Sequence, residues 1–142
     1  MSTYDAQRNN DSDRVAQKYV DLDLFFGRKS SNSDVQDLTN IKAVKRSVRN
    51  LILTNFGEKP FHPEIGSGVR DMLFENMTPI TAIILSRKIE DVINNFEPRV
   101  NLVGVRAQPD LDRNLYEVSI EFYVVNQPTE LQDLSVMLEV LR

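Results

Sequence analysis

Apolar residues recur along this chain at two different periods, and the switch from one to the other divides it. Between Thr39 and Asn55, Ile41, Val44, Val48, Leu51 and Ile52 fall at spacings of three and four with no proline among them. That pattern predicts a helix ending before Gly57. A second helix is predicted over 79–96, because Thr78 is a capping residue and Pro79 suits the first helical position. Leu85, Ile89, Val92, Ile93 and Phe96 line one side of it. Pro98 stops it, since the residue before a proline is pushed out of helical dihedrals. Ile80, Ile83 and Ile84 project from the opposite side of its first turns. Burial beneath the 56–75 loop is the expected fate of these three, and an exposed docking patch is the alternative.

The period then shortens to two. Residues 100–107 carry Val103, Val105 and Ala107 on one face, and 115–125 carry Tyr116, Val118, Ile120, Phe122 and Val124 opposite Glu117, Ser119 and Glu121. Leu134 to Leu141 alternates in the same way, so three strands are predicted, the first two joined by a hairpin loop over Pro109–Asn114. Tyr19 to Phe26 predicts a further short strand, with Val20, Leu22, Leu24 and Phe26 inward and Asp21 and Asp23 outward. Residues 1–18 are polar and read as a flexible arm, and 27–37 as a polar connector. Val69 to Asn76 suffices for about two helical turns. Helices gathered ahead of antiparallel strands predict an α+β domain of two layers, with long helices on one face of a small, mostly antiparallel sheet. A chain of 142 residues has room for one such core. The expected division is an arm over 1–18, a strand and connector over 19–37, and one domain over 38–142.

Composition removes several chemistries. A net charge of -4 argues against a nucleic-acid binder that relies on overall positive charge. Cysteine is absent, which excludes disulfides, thiolate metal sites and a cysteine nucleophile. No apolar run approaches the roughly 20 residues of a membrane span, and the first residues lack the apolar centre of a signal peptide. His62 is the single histidine; between Phe61 and Pro63 it reads as a loop side chain bonded to backbone, with a role as a base the alternative. Glu58, Glu64 and Glu75 are the carboxylates that glycoside hydrolysis could recruit, one of them with a raised pKa. Tryptophan is absent and no sugar-stacking aromatic cluster accompanies them, so no enzyme activity and no cofactor are expected. Gly66-Ser67-Gly68 lacks the ending of a phosphate loop and reads as a turn.

Three features remain. Residues 57–77 crowd two prolines and three glycines into a specifically shaped loop, with Phe61, Ile65, Leu73 and Phe74 as its expected apolar anchors. Glu97-Pro98-Arg99 places an acid and a base on either side of a proline, either as a local ion pair or as opposite charges projecting from a stiff corner. Lys42, Lys45, Arg46 and Arg49 form a basic stripe with no acid between 41 and 55, either a solvated face or a contact with an acidic neighbour.

Lys59-Pro60-Phe61-His62-Pro63-Glu64-Ile65-Gly66-Ser67-Gly68, then Leu73-Phe74-Glu75-Asn76, the Thr78-Pro79 helix start and Glu97-Pro98-Arg99 resemble, in order and spacing, the baseplate wedge proteins of contractile phage tails. That family includes the tail sheath initiator, has relatives in type VI secretion baseplates, and has members that have carried a lysozyme label. The resemblance spans roughly residues 38–142. It implies a structural subunit of the virion tail baseplate, assembled in the host cytoplasm and present in several copies in a ring. It implies further that Glu97, Pro98 and Arg99 contact the helical core bundle of other wedge subunits, with Lys42, Arg46 and Arg49 as additional partner-binding candidates. The tail sheath protein would join by strand exchange, with 115–125 and 134–141 near the open edge of the sheet. Neither nucleic acid nor membrane is an expected partner. A peptidoglycan hydrolase, or the same contacts in a type VI or other phage-derived machine, are the alternative readings.

Overall fold

A computed structural model describes residues 19–22, 27, 37–125 and 127–140. Helices α1 (Ile41–Leu53), α2 (Val69–Met72) and α3 (Pro79–Phe96) pack against a three-stranded antiparallel sheet of β3 (Val100–Asp110), β4 (Leu115–Val124) and β5 (Gln127–Glu139). Two shorter strands, β1 (Val20–Leu22) and β2 (Asp37–Thr39), form a separate antiparallel ladder. The architecture is α+β, as the order of periods predicts. The arm at 1–18, together with Leu24 and Phe26, lies outside the described residues.

Helix α3 occupies the predicted span because both of its ends are fixed locally. The Thr78 hydroxyl accepts the Thr81 N–H at 3.1 Å, Pro79 fills the first turn, and Pro98 follows the end. Helix α2 is shorter than the two turns expected. Its backbone tightens into three-residue turns, Arg70 O to Leu73 N at 3.1 Å and Met72 O to Glu75 N at 3.2 Å, which end the helix.

The core forms where α3 and α1 meet the inner face of the sheet. Leu85, Ile89 and Ile93 of α3 and Val44, Val48 and Ile52 of α1 join Tyr116, Val118, Ile120 and Phe122 of β4 and Val136 and Leu138 of β5. Strand order is β3-β4-β5, with Val118 paired to Ala107 on one side and Val136 on the other. Residues 115–124 are therefore central and not at an edge, because tight connections on both sides enclose them. A register shift between Leu102 and Gly104 turns Val103 out to solvent while Val105 stays buried, which corrects its expected inward position.

Other expectations are reversed by tertiary contacts. In β1, Val20 and Leu22 are exposed while Asp21 is half-buried, since this ladder is not part of the main sheet and Asp21 turns toward Arg99. Of the four loop anchors, Leu73 is buried and Ile65 half-buried, whereas Phe74 is exposed and Phe61 is 96% exposed. The loop is instead tied to itself and to the end of α1, through Gly57 N to Pro63 O and Ser67 N to Thr54 O, each 2.9 Å. It therefore does not cover Ile80, Ile83 and Ile84, and all three are exposed.

Candidate partner-binding corner

Glu97, Pro98 and Arg99 form the turn between α3 and β3, closed by the Val100 N–H donating to Glu97 O at 3.2 Å. Pro98 is the second residue of that turn, where its fixed φ is already suitable. The two charged side chains fold back on one another instead of projecting apart. Arg99 Nε donates to Glu97 Oε1 at 2.6 Å and Nη2 to Oε2 at 2.9 Å, and the Ser47 hydroxyl of α1 also donates to Oε2. Glu97 is only 4% exposed, so this is a bidentate, largely dry pair. The third nitrogen of Arg99, Nη1, lies 3.5 Å from Asp21 Oδ2, and the Tyr19 ring centre is 5.5 Å from the guanidinium carbon.

Burial pushes the Glu97 carboxyl up, but the hydrogen bonds from Arg99 and Ser47 and the adjacent positive charge outweigh it and hold the group below the usual carboxylate range. In return, Glu97 raises Arg99 against the effect of its own partial burial. The pair is thus charged at any physiological pH.

Beside this pair a groove of about 260 Å³ opens between α1, the tied loop and the end of α3. Asn50, Leu51, Lys59, Ile65, Phe96 and Glu97 line it. The two distinctive sequence features, separated by some thirty residues, therefore share one surface. On α1, Lys42 and Arg49 are exposed and Lys45 and Arg46 half-buried, and Arg46 sits one helical turn before the groove residue Asn50.

The loop wall of the groove is braced by contacts that the sequence did not reveal. A Cβ on Gly66 would lie 2.4 Å from Phe56 N and 2.6 Å from Asn55 C, so only glycine lets the two backbones approach. The adjacent Ser67 hydroxyl donates to Ile52 O at 2.6 Å and accepts the Val69 N–H at 3.2 Å, joining the end of α1 to the start of α2. Gly66-Ser67-Gly68 is a splice between helices, and its one sequence signal was the small residue at each flank.

The carboxylates weighed for hydrolysis are placed differently. Glu58 accepts from the Asn55 N–H and Nδ2 at 2.9 and 3.0 Å, and Glu64 Oε1 lies 3.0 Å from His62 Nδ1. Backbone hydrogen bonds, then these side-chain partners, lower both carboxyls, the opposite of what a general acid requires. The groove containing Glu58 includes neither Glu64 nor Glu75. His62 faces a carboxylate and not the backbone acceptor expected of its ring.

The two sheet edges also differ. On β3 the Ala107 N–H donates to Ser86 Oγ of α3 at 3.0 Å, so the helix covers that edge in part. Next to the far end of β5 lies that same groove of about 220 Å³, where Ile52, Val69, Leu73 and Leu138 meet the polar side chains of Glu58, Arg70 and Glu139.

Comparison with known proteins bears on family and fold. The family described as Baseplate wedge protein gp25 matches residues 39–129. The chain is 36% identical over 120 residues to baseplate wedge protein gp25 of Enterobacteria phage T4, covering 84% of this chain and 90% of that protein. Among solved structures, a suspected tail lysozyme from Geobacter sulfurreducens superposes with a TM-score of 0.65 at 23% identity, covering 70% of this chain and 89% of that one. A chain of the anti-feeding prophage baseplate gives 0.61 at 22% identity and 88% coverage of each. A chain of the type VI secretion baseplate complex gives 0.59 at 19% identity, covering 70% of this chain and 93% of that one. These structural likenesses bear on the fold; the extent of the family match and the identity to the phage protein establish that the chain belongs to the baseplate wedge protein gp25 family.

Proposed function

We propose that this chain is a structural, non-enzymatic wedge subunit whose corner at Glu97-Pro98-Arg99 binds the helical core of larger wedge subunits, and whose sheet accepts an extended strand from the tail sheath protein to start sheath polymerisation. Several copies join a ring-shaped baseplate built in the host cytoplasm. The observation that carries the reading is the meeting of the loop and the corner on one groove, in a chain of a baseplate wedge family. Lys42, Arg46 and Arg49 lie on the helix that forms one wall of the groove and favour an acidic partner. Identity to a phage protein, higher than to the prophage and secretion-system chains, favours a virion over the other contractile machines.

For the sheath contact, β5 is the better acceptor. Its outer margin has no pairing partner among the described residues, and the groove beside it, part apolar and part charged, has room for side chains of a fourth strand.

The corner is tested with the paired substitution Glu97→Gln and Arg99→Met, which removes both charges without stranding either one. The variant should melt within a few degrees of the wild type and be missing from baseplates imaged by electron microscopy. Normal baseplates containing it would refute the assigned contact. For the sheet, amides of β5 should gain protection from hydrogen exchange when purified sheath protein is added, while those of β3 do not.

A further inference from the structure

The Glu97 acceptors at the corner are committed, and so is one edge of Arg99. A guanidinium carries five N–H donors, and Arg99 directs Nε and Nη2 at Glu97. Both oxygens of Glu97 are engaged, by Arg99 and Ser47, and the side chain is buried, so Glu97 has no free edge for a partner. What Arg99 can still offer is its outer edge, made by Nη1 and the second hydrogen of Nη2. That edge faces Asp21 at 3.5 Å, well beyond the roughly 2.7–2.9 Å of a strong charge-assisted bond.

The element that brings Asp21 there is weakly held. Strand β1 has three residues, pairs among the described residues with β2 alone, and leaves Val20 and Leu22 in solvent. An isolated two-stranded ladder is marginal in water. Beyond the ladder, it is held by the Asn40 N–H bonded to Tyr19 O at 2.7 Å and by the half-buried Tyr19 ring, which lies against Arg99 and the margin of the core. Lys59 on the groove wall adds positive charge to that of Arg99, so the incoming group is expected to be acidic.

We infer that Asp21 and Tyr19 hold, in the free subunit, the place on Arg99 that a carboxylate of the wedge partner takes in the baseplate, making β1 a displaceable clasp over the docking corner. This rests on the corner being the wedge contact. The partner is thereby specified as a segment that lies in the groove beside α1 and presents an aspartate or glutamate to Nη1. Pairing with Glu97 survives the exchange and keeps the guanidinium oriented.

The test is binding of the full chain to the wedge subassembly isolated from cells that lack this chain. Asp21→Asn combined with Tyr19→Leu, which keeps apolar bulk but removes the charge and the ring, should bind roughly three- to tenfold more tightly than wild type, the range expected for losing one partly exposed ion pair and one cation–π contact. In the wild-type complex, amides of Val20–Leu22 should exchange faster than in the free chain. Unchanged or weaker binding by the variant, or β1 amides that keep their protection in the complex, overturns the clasp. Undiminished binding of the Glu97→Gln, Arg99→Met chain would instead overturn the corner itself, so the two failures are distinguishable.

Discussion

Arg99 and Glu97 depend on each other unequally. Replacing Arg99 with alanine leaves a carboxylate that is 4% exposed without its cation, whereas replacing Glu97 leaves a guanidinium with 24% of its side chain still in water. Arg99→Ala should therefore cost about 2–3 kcal/mol in urea unfolding, at or below the low end for a broken buried pair because of that residual hydration, and the Glu97→Gln, Arg99→Met pair about 1 kcal/mol. A loss of assembly in the alanine variant alone would mix unfolding with a missing contact. Because the folded state holds the Glu97 carboxyl below its ordinary range, the unfolded chain binds more protons on acidification. The stabilisation is full at neutral pH and is lost as pH falls through and below the carboxylate range, and Glu97→Gln should flatten that decline. Tyr116 behaves in the opposite sense: its hydroxyl is buried with no hydrogen-bond partner among the described residues, so Tyr116→Phe should be neutral or stabilise by up to about 1 kcal/mol in thermal melts. At this scale the sequence shows an acid, a proline and an arginine in a row. It does not show the direction of their side chains, because that depends on Ser47 and Asp21, which are remote along the chain.

Elements with local determinants were the most legible. Helix α3 is bounded by a threonine cap and two prolines, and β4 alternates without interruption, so both appear where the pattern puts them. Strand β1 alternates equally well yet faces the other way. Alternation says which side chains share a face but not which face meets the core, and here Arg99 decides it. Gly66 illustrates a different gap: a close approach between two stretches of backbone leaves no periodic trace. Gly66→Ala should cost about 1–3 kcal/mol through steric displacement of the Phe56 backbone, with faster amide exchange at Gly57 and Ser67 as the local sign.

For the molecule as a whole, the family was readable from motif order and the class of fold from the order of periods, while the shared groove was not, since it exists only after α1, the loop and α3 have packed. If the proposed corner docks an acidic partner, Lys59 of the groove and the nearby Arg99 make that contact sensitive to ionic strength, and affinity for the wedge subassembly should fall steadily from 50 to 500 mM salt, roughly as expected for charges separated by about a Debye length. The open side of β5 has a further cost before any partner arrives. Thirteen residues of strand that no other described strand seals could pair with the same strand of a sister molecule, and the exposed acids Glu130, Asp133 and Glu139 supply the mutual repulsion that discourages it. Free subunits would then be safest when dilute, so supply matched to incorporation would suit this component better than a stockpile.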